Sequence, residues 1–122
     1  MTILEAITKI QNFKPSTFDD SVLIGWLSQI DGSIYLESIL HHHGGEGITW
    51  EPYTEADVNK TLLVPEPYSE LYIRYLTAQI DLHNAEFGRY NNSLVAFQAA
   101  YMDYLRWYNR ENLPKQDNYI WV

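Results

Sequence analysis

Cysteine is absent from the 122 residues, which excludes a disulfide framework, a thiol nucleophile and a thiolate metal site. Basic residues are scarce: eight Lys and Arg stand against sixteen Asp and Glu, a net charge of −8. Nucleic-acid binders neutralise phosphate with clustered cations, so this balance argues against sequence-specific or tight DNA binding. Long hydrophobic runs are missing too, and nothing approaches the roughly 20 apolar residues of a membrane-spanning helix. The opening Met1-Thr2-Ile3-Leu4-Glu5 has no basic segment leading into an apolar one, so no secretory signal is expected. No repeat of solenoid period is present.

What is present is a hydrophobic fraction of 46%, too high for disorder, on a chain long enough for one core. We expect a single helical domain over 1–112 and an extended tail over 113–122. Charge is unevenly spread. Residues 1–64 hold three basic and nine acidic residues, net −6, while 65–110 hold all four arginines, Arg74, Arg89, Arg106 and Arg110, against five acids. One face can thus meet an acidic neighbour while another repels DNA.

Apolar spacing is helical along most of the chain. A short helix is expected over 2–12, with Thr2 and Glu5 as a capping box and Ile3, Ile7 and Ile10 on one face. Lys14-Pro15-Ser16 breaks it, and Ser16 with Asp19, or Thr17 with Asp20, offers a second capping box. Leu23, Trp26, Leu27, Ile30 and Ile34 then form one stripe of a helix running to about Leu40. Gly32 within it costs about 1 kcal/mol relative to Ala, so either a neighbouring backbone approaches there or the helix kinks. Gly44-Gly45-Glu46-Gly47 ends it. Segment 48–64 is irregular and expected at the surface, with strand content at most around 48–50 and 62–64. Pro65-Glu66-Pro67 is expected to open a third helix, with Gly88 as its stop and Asn91 or Asn92 capping a fourth that carries Leu94, Phe97, Tyr101, Tyr104, Leu105 and Tyr108. The fold class is all-α: a helical bundle whose long C-terminal αα-hairpin packs on one long N-terminal helix.

Chemistry-bearing motifs are few. His41-His42-His43 is the obvious metal candidate, with Glu37 one turn earlier, but successive helical residues point about 100° apart and three adjacent imidazoles do not converge on one ion. His83 reads as a hydrogen-bonded, partly buried side chain. No Gly-x-Ser-x-Gly turn occurs, and the glycine-rich loop lacks the Lys-Ser/Thr of a phosphate loop. No catalytic residue, cofactor or metal is expected. The aromatic load is high instead: ten Tyr, four Trp and four Phe. Such side chains dominate protein interfaces. Trp26, Phe97 and Tyr101 are expected in the core. Tyr68, Tyr72, Tyr75, Tyr90, Tyr104, Trp107 and Tyr108 are too many for two helices to turn inward. The interface candidates are Tyr72, Arg74, Arg89, Tyr90, Arg106, Trp107, Arg110, Tyr119 and Trp121.

The stretch Leu62-Leu63-Val64-Pro65-Glu66-Pro67-Tyr68-Ser69-Glu70-Leu71-Tyr72 resembles small head-morphogenesis proteins of tailed phages and prophages of Gram-positive bacteria. So do Ala85-Glu86-Phe87-Gly88-Arg89-Tyr90-Asn91-Asn92-Ser93, Phe97-Gln98-Ala99-Ala100-Tyr101 and Trp107-Tyr108-Asn109-Arg110, together with Trp26-Leu27-Ser28-Gln29-Ile30-Asp31-Gly32 ahead of Ile34-Tyr35. The likeness departs at 41–47 and 119–122. It implies a head–tail connector, or head-completion, protein. Such a subunit assembles with itself as a ring below the portal protein and extends the DNA channel. DNA passes without sequence-specific binding, and the ring docks the next connector or the tail. The expected location is the virion, or the bacterial cytoplasm during assembly or from a prophage, with no membrane association. The residues alone also admit a non-viral helical adaptor and, more weakly, a metal-dependent enzyme built on the His cluster. A tail that folds back on its own hairpin and one that docks on a neighbouring subunit both remain open.

Overall fold

The computed structural model describes residues 1–112; the segment 113–122, with the interface candidates Tyr119 and Trp121, lies outside the described residues. The described chain is all-helical: α1 (Ile3–Phe13), α2 (Asp20–Glu37), α3 (Glu70–His83) and α4 (Phe87–Glu111), with 3₁₀ turns at Ile39–His41 and Glu55–Asp57. No strand occurs among the described residues; the expected strand content near 62–64 reduces to one antiparallel bridge between Thr2 and Thr61.

α1 begins as its sequence predicts. Thr2 Oγ1 accepts from the Glu5 N–H at 3.1 Å and Glu5 Oε1 accepts from the Thr2 N–H at 2.9 Å, which satisfies two orphan donors of the first turn. Ile3, Ala6, Ile7 and Ile10 are buried on one face. α2 starts at Asp20, one residue after Asp19, and neither expected capping box forms. It is the central helix. Leu23, Trp26, Leu27, Ile30 and Ile34 face the core, while Ser28, Asp31 and Gly32 are buried as well.

That burial is the work of segment 48–64, which lies at the surface as expected, with most of its residues exposed, yet covers this face of α2. It lies across α2, buries Leu62 and Val64 and lays the Trp50 ring on Gly32, where a Cβ would stand 2.8 Å from Trp50 Cζ2. Close approach of a neighbour, here a side chain and not a backbone, explains the mid-helix glycine.

α3 begins at Glu70, five residues later than Pro65. Proline disfavours the α conformation in the residue before it, so Glu66 cannot join a first turn, and the Tyr68 N–H bonds back to Pro65 O in a tight turn instead. α3 ends before Gly88. Ala85, at φ +57°, takes the left-handed position usually held by glycine. The Ala85 N–H bonds to Leu82 O at 3.0 Å and the Glu86 N–H to Asp81 O at 2.9 Å, the two bonds of a Schellman cap. α4 therefore starts at Phe87, with Gly88, Asn91 and Asn92 inside it.

α3 and α4 form the closest helix pair and run antiparallel as a hairpin, with α1 and α2 on the other side of α3. One core joins all four helices. Tyr72 and Tyr104 are among its largest fully buried side chains and Tyr108 is buried beside them, so more tyrosines turn inward than expected. Phe97 and Tyr101, expected in the core, are half-buried at its edge. No described helix is long and apolar enough to cross a membrane.

Candidate functional site

Two carboxylates are buried in the bundle, and sequence pattern marks neither. Asp31 sits mid-way along α2. Its Oδ2 accepts from the Tyr53 hydroxyl at 2.6 Å and the Leu63 N–H at 3.0 Å, and its Oδ1 from the Tyr72 hydroxyl at 2.5 Å. Tyr72 in turn accepts from the Val64 N–H at 2.8 Å, and Ser28 Oγ accepts from the Tyr53 N–H at 3.0 Å. No cation faces Asp31 among the described residues. Burial raises its pKa above 3.8, against the hydrogen bonds from Tyr53, Tyr72 and Leu63, which pull it down. The same burial, with the nearby Asp31 charge, raises both tyrosine hydroxyls. The arrangement is a clamp: one carboxylate fastens segment 53–64 and α3 onto α2. Tyr72, an interface candidate on sequence grounds, is wholly enclosed here because its hydroxyl is required at the centre.

Asp81 on α3 is the second. It meets Lys14 Nζ at 2.7 Å and accepts from the Ser93 hydroxyl at 2.6 Å. Burial raises its pKa, but the bonds from Lys14 and Ser93 and the Lys14 charge outweigh it, and the net direction is below 3.8. This contact ties the end of α1 to both arms of the hairpin.

The histidines divide. His42 spans from Ser38 O to Asn109 Oδ1, the latter at 2.8 Å, and packs edge-on against Tyr108. His43 lies 3.5 Å from Glu46, and His41 is exposed. Among the described residues no group of three His, Asp or Glu is placed to hold a metal ion. His83 is hydrogen-bonded to Gln79 O at 2.9 Å but exposed, contrary to expectation. Its ring covers Trp26, with centroids 4.9 Å apart.

The remaining interface candidates are not one patch. Arg106, Trp107 and Arg110 share the last two turns of α4, and Trp107 stacks on Tyr68 at 5.3 Å. Arg89 and Tyr90 sit at the other end of α4, roughly 25–30 Å away at 1.5 Å per residue. Arg74 projects from α3 between them and is exposed. Arg89 and Arg106 make loose contacts with Glu86 and Asp103 at 3.5 and 3.4 Å, of little energetic weight at the surface. What sequence pattern overlooked is an apolar flank on α4. Phe87, Val95 and Met102 are 61%, 65% and 47% exposed, and their spacing of eight and seven residues places them on one side of the helix. That spacing was visible in the chain, but the stripe facing α3 has the same period. No protein family, curated protein or solved structure matches the chain.

Proposed function

We propose that the protein is a structural virion component of the head–tail joint, assembling as a ring below the portal, extending the DNA channel and docking the next connector or the tail. Its sequence likeness to head-completion proteins motivates this, and the observation that carries it is the outward flank of α4. Only two side chains of this helix, Tyr104 and Tyr108, are buried, and large apolar groups stand in water along its length. Side chains of this size left in water on one side of a helix suit a contact surface. A ring needs two different patches on each subunit, which the apolar flank and the Arg106–Trp107–Arg110 end supply. The acidic balance of the chain suits a channel through which DNA slides, because few phosphate contacts hold it. The same flank also serves a non-viral adaptor that binds one partner.

The test is genetic and visual. Particles produced without the gene are expected as DNA-filled heads lacking tails, and purified protein added to them as rings at the portal vertex in electron micrographs. Normal tailed particles in its absence would refute the head–tail assignment and leave the adaptor.

A further inference from the structure

A hollow of about 360 Å³ opens where α1, α3 and α4 meet. Phe13 from the last turn of α1, Ile73 from α3 and Ala96 from α4 give it apolar walls, and Arg74 and Asn92 line it with them. Phe13 is 69% exposed. Among the described residues Arg74 forms neither an ion pair nor a hydrogen bond, and the Asn92 amide forms no hydrogen bond. Glu70, one turn before Arg74, is held by Lys9 at 2.8 Å and leaves the guanidinium free. An unpaired guanidinium beside apolar walls suits a carboxylate that arrives with apolar neighbours, because shielding from water strengthens the charged contact.

The same chain carries such a group elsewhere. α2 ends at Glu37 with no basic residue in its last turn, so the negative pole of the helix and the Glu37 charge add together. Glu37 is exposed and forms no ion pair among the described residues. Leu36 beside it is 54% exposed, and Leu40, three residues on in the 3₁₀ turn, is exposed as well. Burial, and after it the Glu37 charge, raises the Tyr101 hydroxyl, so this knob sits against α4 at Tyr101, next to Met102 of the outward flank. Tyr101 and Ala96 are five residues apart, about 140° around the helix. Knob and hollow therefore lie on different sides of α4 and do not meet within one chain. We propose that the hollow of one copy receives the end of α2 of a second copy, with Glu37 paired to Arg74 and Leu36 and Leu40 set against Phe13 and Ile73. The charges are opposite, each is unpaired, and each stands among exposed apolar groups. A pair joined this way still has one free knob and one free hollow, so the contact is head-to-tail and closes into a ring where its rotation allows. This contact rests on the self-assembly proposed above and not on a place in the virion.

The cysteine-free chain makes the test direct. Full-length Leu40→Cys and full-length Ala96→Cys, distinguishable by mass, are mixed in equal amounts and oxidised mildly. The mixed disulfide dimer is expected to form about tenfold faster than either like pair. Arg74→Glu in the Ala96→Cys copy is expected to abolish that preference, and Glu37→Arg in the Leu40→Cys copy to restore it. Equal rates for mixed and like pairs, or a preference unchanged by Arg74→Glu, would overturn the proposal. Sedimentation of the wild type separates this contact from the self-assembly on which it rests. Association without the crosslinking preference overturns this contact alone, and a monomer at every concentration overturns both.

Discussion

Tyr53 donates its hydroxyl hydrogen to Asp31 across 2.6 Å, joining an irregular segment to the middle of the central helix. Because Asp31 also takes the Tyr72 hydroxyl and the Leu63 N–H, its loss strands three donors. Asp31→Ala is expected to destabilise the protein by about 2–4 kcal/mol, and Tyr53→Phe, which removes one bond and leaves the others, by about 1–2 kcal/mol. Urea melts check both. Equal small losses would mean that water replaces the clamp.

The two buried acids pull stability in opposite directions with pH. The folded Asp31 carboxyl has a raised pKa, so its ionised form is a cost that is relieved as pH falls through the folded value toward 3.8. Asp81 has a lowered pKa, so its contribution is complete above 3.8 and is lost as pH falls below that toward its folded value. Stability is therefore expected to rise on mild acidification and to fall in stronger acid. Asp31→Asn is expected to abolish the rising limb only. Chemical melts from pH 7 to pH 3 read both limbs, and a wild type that weakens steadily from neutrality would contradict this account.

Gly32→Ala sets helix propensity against packing. Ala favours the helix by about 1 kcal/mol, but its Cβ would stand 2.8 and 2.9 Å from two carbons of the Trp50 ring, a rigid group that must move. The expected net effect is a loss of about 1–3 kcal/mol, with altered Trp fluorescence. In a Trp50→Ala background the same change is expected to stabilise by about 0.5–1 kcal/mol. A loss of equal size in both backgrounds would show that the ring is not the obstacle.

The histidine run is expected to split by position. His42→Ala removes the bridge to Asn109 and the packing on Tyr108, a loss of about 1–2 kcal/mol with faster amide exchange in the last turns of α4. His41→Ala and His43→Ala are expected to change stability by less than about 0.5 kcal/mol, as at other exposed positions. Three equal losses would point to a shared role for the run.

Apolar spacing determined the helical class and the hairpin, and the Thr2–Glu5 pair the α1 cap, because a 3.6-residue period and a capping box act within one or two turns. Helix ends were less legible. Ala85 closes α3 in a conformation usually reserved for glycine, and Pro67 delays a start that Pro65 advertised; in both places hydrogen bonds to residues three to five positions back decide the outcome. Burial of single polar groups was not legible at all. A helical aspartate has the same local pattern whether it faces water or three donors, and only tertiary packing brought Tyr53, Leu63 and Tyr72 around Asp31. The same packing turned Tyr72 from a candidate surface residue into a core one and left Val95 and Met102 outside. Which of two stripes with the same period meets α3 is a long-range competition for buried area, and no local rule carries it.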